Sequence, residues 1–206
     1  MVMASLSIFA IAYMFGREVE SFWLQPTPMI ILRTMIRALV LIAGLIFAPP
    51  FLLQQAAAQE PTLLGEFGDW AAYTYTAGQG KVCYAVSIPK SSEPAGLNRD
   101  PVFFLISHFP RQGVRNEVST IIGYPFRKDS MAHLTIGETT FELFTVDDGA
   151  WADRPERDRE IVAALKKGAK MDLKGTSWRG TATKDNYSLQ GVSAAVDKID
   201  ENCKQE

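Results

Sequence analysis

Histidine and cysteine are scarce in this chain, which holds two of each in 206 residues. Two histidines, His108 and His133, with Cys83 and Cys203, leave no ligand cluster for a structural or catalytic metal, and neither cysteine stands in a CxxC redox pair. No serine sits in a GxSxG elbow. Ser107 and His108 are neighbours in a strand-like run, where adjacent side chains point to opposite faces, and His133 alternates with Leu134 in the same way. Glycine-rich phosphate loops are absent, since Gly78 and Gly80 fall in a hairpin turn. Asp147-Asp148-Gly149 lacks the ligand spacing of a calcium loop and reads as a turn between a strand and a helix. Nor is there an excess of positive charge: 21 basic and 23 acidic residues give a formal net charge of −2. That balance argues against a nucleic-acid partner. No catalytic residue, metal or cofactor is expected.

What the chain does have is an export signal. Met35, Arg37, an apolar run from Ala38 to Leu53 and small residues at Ala56 and Ala58 give residues 35–58 the layout of a signal peptide. The run is broken by Pro49-Pro50 and falls short of the ~20 apolar residues of a membrane helix. The expectation is cleavage after Ala58, a mature chain from Gln59 and a periplasmic or secreted protein. The alternative is an uncleaved segment that anchors the protein at the inner membrane, its one contact with a membrane. Residues 1–34 form an N-terminal extension, read either as a start placed upstream of Met29 or Met35 or as a further membrane segment. The apolar run Met1 to Phe15 would rise only about 22 Å as a helix, short of a hydrocarbon core of about 30 Å. Residues 59–206 are one ordinary domain, with a formal charge of −3 once the three arginines and two glutamates of the first 58 residues are set aside.

In an oxidising compartment, two cysteines permit one intrachain bond. Cys83–Cys203 is therefore read as a structural disulfide.

The domain reads as a succession of short β runs. Residues 59–66 look like a flexible leader. Trp70–Thr76 and Lys81–Ile88 form a hairpin, residues 89–101 a long loop, and Val102–Phe109 a strand buried on both faces. Glu117–Tyr124, Ala132–Ile136 and Thr140–Val146 add three strands. Met171–Gly175 and Thr176–Thr181 add two more, followed by a turn at Lys184-Asp185-Asn186. Two segments carry helical periodicity: Arg157–Lys167, with Ile161, Val162 and Leu165 on one face, and Ser193–Cys203, with Ser193 as N-cap. The fold class is all-β, an antiparallel immunoglobulin-like β-sandwich with two short peripheral helices.

Charge is segregated along the domain. His108 to Lys128 holds Arg111, Arg115, Arg127 and Lys128 against Glu117 alone, while Glu138 to Glu160 holds eight acids against three arginines. The candidate interaction surface is that basic segment together with loop residues Arg99 and Asp100. The same arginines could instead pair internally with the acidic block. Trp70, Tyr73, Tyr75, Trp151 and Trp178 could stack on a sugar, although strand aromatics more often form core or cross-strand pairs.

The ordered motifs FGDW (67–70), CYAVSIP (83–89), RDPVFFLIS (99–107), GVRNEVSTIIGYPF (113–126), FELFTVDDGAW (141–151), REIVAALKKG (159–168), KGTSWRGT (174–181) and YSLQGVSAA (187–195) resemble the invasion-associated locus B family of alphaproteobacteria. The resemblance spans 66–203 and implies an exported, immunoglobulin-like sandwich with no catalytic residues to carry over. It also implies a non-enzymatic interaction protein with a protein, envelope or host-surface partner. Competing readings are a structural or stress-related envelope component and an envelope hydrolase acting through Asp147 or Asp153.

Overall fold

A computed structural model describes residues 60–78 and 80–204; the N-terminal extension 1–34, the signal segment 35–58 and the cleavage point before Gln59 lie outside the described residues. Eleven strands form one sheet: β1 (Thr62–Phe67), β2 (Trp70–Ala77), β3 (Gly80–Ser87), β4 (Ser91–Glu93), β5 (Phe103–Phe109), β6 (Val114–Ile121), β7 (Met131–Ile136), β8 (Thr139–Val146), β9 (Gly149–Trp151), β10 (Lys170–Thr176) and β11 (Ala182–Ser188). Among the described residues, two α-helices, α1 (Pro155–Lys167) and α2 (Val192–Asn202), accompany the sheet. The all-β, antiparallel expectation with two helices holds. The strand order is β1-β2-β3-β5-β6-β9-β8-β7-β10-β11-β4, and its pairings are antiparallel.

The sheet curls over so that its two ends meet. Trp70 Nε1–H at the start of β2 donates to the Ser188 carbonyl at the end of β11 (3.0 Å), and Asp69 N–H donates to the Gln190 carbonyl (3.0 Å). The two halves thus face one another like the layers of a sandwich. Period-two patterning aims Ala132, Leu134 and Ile136 of β7, Met171 and Leu173 of β10 and Tyr187 of β11 into one core. Trp70, Phe104 and Tyr187 meet edge to face there, with centroids 6.1 and 5.9 Å apart. Strand β5 is buried on both faces. Its other side joins Tyr73, Tyr75, Val82, Tyr84 and Ile121 in a second apolar cluster with Phe103 and Leu105.

Both helices close the core through one apolar stripe: Ile161, Val162 and Leu165 from α1, and Val192, Ala195, Val196 and Ile199 from α2. Helix α1 also covers an open stretch of β6, where buried Asp158 accepts the Val118 N–H (2.8 Å) that would otherwise lack a partner.

The structure corrects six local expectations. Residues 62–66 of the supposed leader belong to β1, which pairs with β2, and the long loop contains β4, which pairs with β11. Lys184-Asp185-Asn186 lies inside β11, because Asp185 faces an internal partner described below, and the turn falls at 177–181, where a strand over Thr176–Thr181 was expected. Asp147-Asp148 joins two strands, β8 and β9, rather than a strand and a helix, with Asp147 in the left-handed region (φ 51°). Helix α2 begins after Gly191, not at a serine cap. Gly191 has φ 95°, and a Cβ there would stand 1.7 Å from the Phe67 carbonyl oxygen, so only glycine fits.

The chain end is tied down by covalent and polar bonds. Cys83 of β3 and Cys203, the residue after α2, form a disulfide across a separation of 120 residues, with Cα atoms 6.0 Å apart. Beside it, Arg115 pairs with Asp200 and donates to the Cys203 carbonyl (3.1 Å), and Lys81 Nζ donates to the Asn202 carbonyl (2.5 Å). His108, fully buried, lies 2.9 Å from Asp200 Oδ1 through Nε2, while its Nδ1 accepts the Asn116 N–H (3.0 Å). That acceptor role places the ring proton on Nε2, which donates to Asp200.

Two predictions follow from this tie. In the chain-entropy account, closing so long a loop contributes about 5 kcal/mol. Reduction, or the Cys83→Ala/Cys203→Ala pair, should therefore lower the urea midpoint by several kcal/mol of stability; a change under about 1 kcal/mol would refute that role. Burial holds the His108 pKa below its ordinary 6.5, with Arg115 adding to the effect and Ser107 and Asp200 opposing it. The unfolded imidazole then takes up a proton before the folded one does, so stability falls as pH drops below about 6.5. Half-buried Glu117 and buried Asp158, both pushed upward chiefly by desolvation, act with the opposite sign at lower pH. His108→Gln should flatten the decline in melting temperature between pH 7 and 5.5, and an unchanged slope would refute the assignment.

Candidate functional site

Three turns converge at one end of β5 around a cleft of about 310 Å³: residues 97–100 before β5, 123–125 after β6, and 177–181 between β10 and β11. Backbone bonds lock them together. Asp100 N–H donates to the Gly123 carbonyl (3.0 Å), Trp178 N–H to the Pro125 carbonyl (2.9 Å) and Ser177 N–H to the Thr181 carbonyl (2.9 Å). Gly123 (φ 76°) is obligatory, because a Cβ there would stand 2.1 Å from the Asp100 carbonyl oxygen.

Under the cleft lies a buried ion pair. Arg99, with its side chain 8% exposed, meets Asp185, 0% exposed, in a two-pronged contact, with Nη1 to Oδ2 at 3.0 Å. The guanidinium also donates to Ser92 Oγ (2.7 Å) and the Ile122 carbonyl (3.2 Å), and Ser92 Oγ donates to Asp185 Oδ1 (2.6 Å). Burial opposes the charge on Arg99, but the hydrogen bond and charge of Asp185 outweigh it and raise the arginine pKa. The Tyr124 and Thr183 hydroxyls bond each other (2.5 Å) beside the pair.

Above this floor the cleft is open. Trp178 is 59% exposed, although its backbone is held by the turn, and the Arg179 guanidinium lies 4.8 Å from its ring centroid. Asn98, Asp100 and Asp148 add polar groups to the wall.

The six residues of the candidate surface are distributed over three places. Arg99 and Asp100 join the cleft, the first as its floor and the second on its rim. Arg127 and Lys128 are exposed on the turn after Phe126, whose backbone meets β10 through Arg127 N–H and the Thr176 carbonyl (2.8 Å). Arg111 and Arg115 lie beyond the opposite end of β5, Arg111 against Gly80 and Arg115 on Asp200. The arginines that pair internally do so with Asp185 and Asp200, not with the acidic 138–160 block. Trp178 was expected in a strand over Thr176–Thr181 and lies instead in the turn; the signal that could have shown this is Ser177 and Gly180 on either side of it. Of the other candidate aromatics, Trp70, Tyr73 and Tyr75 are buried and Trp151 stacks on Phe144.

His108 and Asp200 have the spacing of the base and acid of a hydrolytic triad. Yet Nδ1 is filled by a backbone N–H and the ring is sealed, so no serine can take the third place. Among the described residues no group of three or more His, Cys, Asp or Glu side chains could hold a metal ion, and no helix is long and apolar enough to cross a membrane.

The Arg99–Asp185 pair generates a stability prediction. Asp185→Asn or Arg99→Met leaves one buried charge unpaired and should cost about 3–5 kcal/mol, whereas Arg99→Met with Asp185→Leu should recover part of that loss. Urea unfolding of the three variants measures it; additive losses in the double variant would show that the two residues do not act as a pair.

No curated protein sequence matches the chain. A solved structure of invasion associated protein B from Bartonella henselae is similar at 17% sequence identity, covering 69% of this chain and 99% of that one with a TM-score of 0.46. The sequence model of the invasion associated locus B (IalB) proteins matches residues 70–200, which take in β2 through most of α2, the disulfide's first cysteine and all three cleft turns. With well over half of its length matched, the chain belongs to the invasion associated locus B family.

Proposed function

We propose that the protein is an exported, non-enzymatic binding module of the bacterial envelope, periplasmic or secreted, that meets an envelope or host-surface partner through the cleft around Trp178. The observation that carries this reading is a large aromatic side chain held out to solvent on a turn fixed by backbone hydrogen bonds. Tryptophan presents a wide contact area at little cost in conformational entropy, and residues of this kind dominate binding energy at interfaces. The disulfide supports export, because such bonds persist in oxidising compartments. Family membership supports an interaction role through the association with invasion that the family's name carries. Arg127 and Lys128, on the turn next to the cleft, extend the surface, and Arg111 and Arg115 lie outside it.

Two measurements test this. Protein isolated from the native host should begin at Gln59, and a precursor that persists in the cytosol would refute export. In pull-downs from envelope and host-cell fractions, Trp178→Ala should lower capture at least tenfold, a loss of about 1.4 kcal/mol or more, while Arg111→Glu should leave it unchanged. Equal capture by the Trp178→Ala variant would refute the cleft as the binding surface.

A further inference from the structure

We propose that the cleft is a carbohydrate site, in which a neutral sugar ring stacks on Trp178 while Asn98 and Asp100 hydrogen-bond its hydroxyls. The inference rests on the reading of this cleft as the partner surface and names the chemistry it selects.

Three features of the cleft favour a sugar over other ligands. The first is the platform. An indole face carries negative quadrupole charge, which attracts the weakly positive C–H edges on one side of a pyranose ring. Trp178 is 59% exposed, and the guanidinium of Arg179 packs on its ring 4.8 Å from the centroid, which steadies the platform.

The second is the polar wall. Sugars present hydroxyls that both donate and accept, and they are met best by carboxylates and amides fixed on rigid loops. Asp100 sits on a loop pinned to Gly123, and Asn98 belongs to the same loop. A volume of about 310 Å³ is at the small end of ligand pockets, the size for one or two sugar rings rather than a long polymer.

The third is what the cleft withholds. An anionic ligand would need free cationic groups, but Arg99 is consumed by Asp185, and the Arg179 guanidinium lies over the Trp178 ring. An extended peptide adds to a sheet edge through open backbone groups. Here the Asp100, Trp178, Ser177 and Ile122 N–H groups are already bonded within the protein, so the cleft offers side chains instead.

The test uses protein purified from the native host, titrated with chitotriose, cellotriose, mannotriose and lactose and followed by tryptophan fluorescence and calorimetry. At least one sugar should bind saturably. Trp178→Ala should weaken that binding at least tenfold with an unchanged melting temperature, Trp178→Phe should retain most of it, and Asp100→Asn should weaken it several-fold. Failure of all four sugars to bind, or equal binding by Trp178→Ala, overturns the inference. Pull-downs with enzymatically deglycosylated fractions separate it from the broader reading. Capture that needs Trp178 but survives deglycosylation overturns the sugar and leaves the cleft as a protein-binding surface. Sugar binding that needs Trp178 while capture does not supports the sugar site and overturns the cleft as the partner surface.

Discussion

The buried contact between Arg99 and Asp185 is the constraint on which the functional end of the molecule depends. A guanidinium and a carboxylate removed from water are costly unless every lone pair and proton finds a partner. Here Ser92 and the Ile122 carbonyl take the Nη hydrogens that Asp185 leaves over. The consequence is architectural. Asp185 belongs to β11, Ser92 to β4, Arg99 to the segment entering β5, and Ile122 to the end of β6. One pair therefore joins the edge strand, the last strand and the segments that enter β5 and leave β6, and so holds the 97–100 loop that forms one wall of the cleft.

The opposite end is held by different means. There the disulfide, Arg115, Lys81 and His108 converge on the last turn of α2, so the helix closes the core instead of fraying at the chain end. Its neutral, sealed histidine shows why residue inventories mislead. An imidazole 2.9 Å from a carboxylate reads as half a catalytic apparatus until its other nitrogen is traced to a backbone donor. The pair secures the helix.

These two ends explain what was legible in the sequence. The hairpin β2–β3, the doubly buried β5, the β7–β8 pair and both helices follow from period-two and period-3.6 patterning, which reports burial directly. The disulfide followed from the count of cysteines together with the expectation of export. What failed was polar residues read by local propensity alone. Asp185 was assigned to a turn because Lys-Asp-Asn is turn-like, yet a charge deep in a strand is stable when a distant arginine meets it. The same blindness misjudged Arg99, whose partner is 86 positions away. Short edge strands such as β4 are illegible for a related reason, since their pairing energy resides in the neighbour.

Trp178 illustrates the converse. Exposure of so large an apolar side chain is costly. Yet three backbone hydrogen bonds and a serine hydroxyl hold the 177–181 turn, and the ion pair holds the floor below it. Rigid display of an apolar face is poor design for stability or solubility. It is sound design for recognition, because the entropic cost of ordering the anchor is already met in the free protein. The mildly acidic balance of the chain and the internal pairing of Arg99 and Arg115 reduce the positive charge that a polyanion could meet. Under the reading proposed above, the aromatic platform and the polar groups of the cleft complement a ligand with an apolar face and hydroxyl edges.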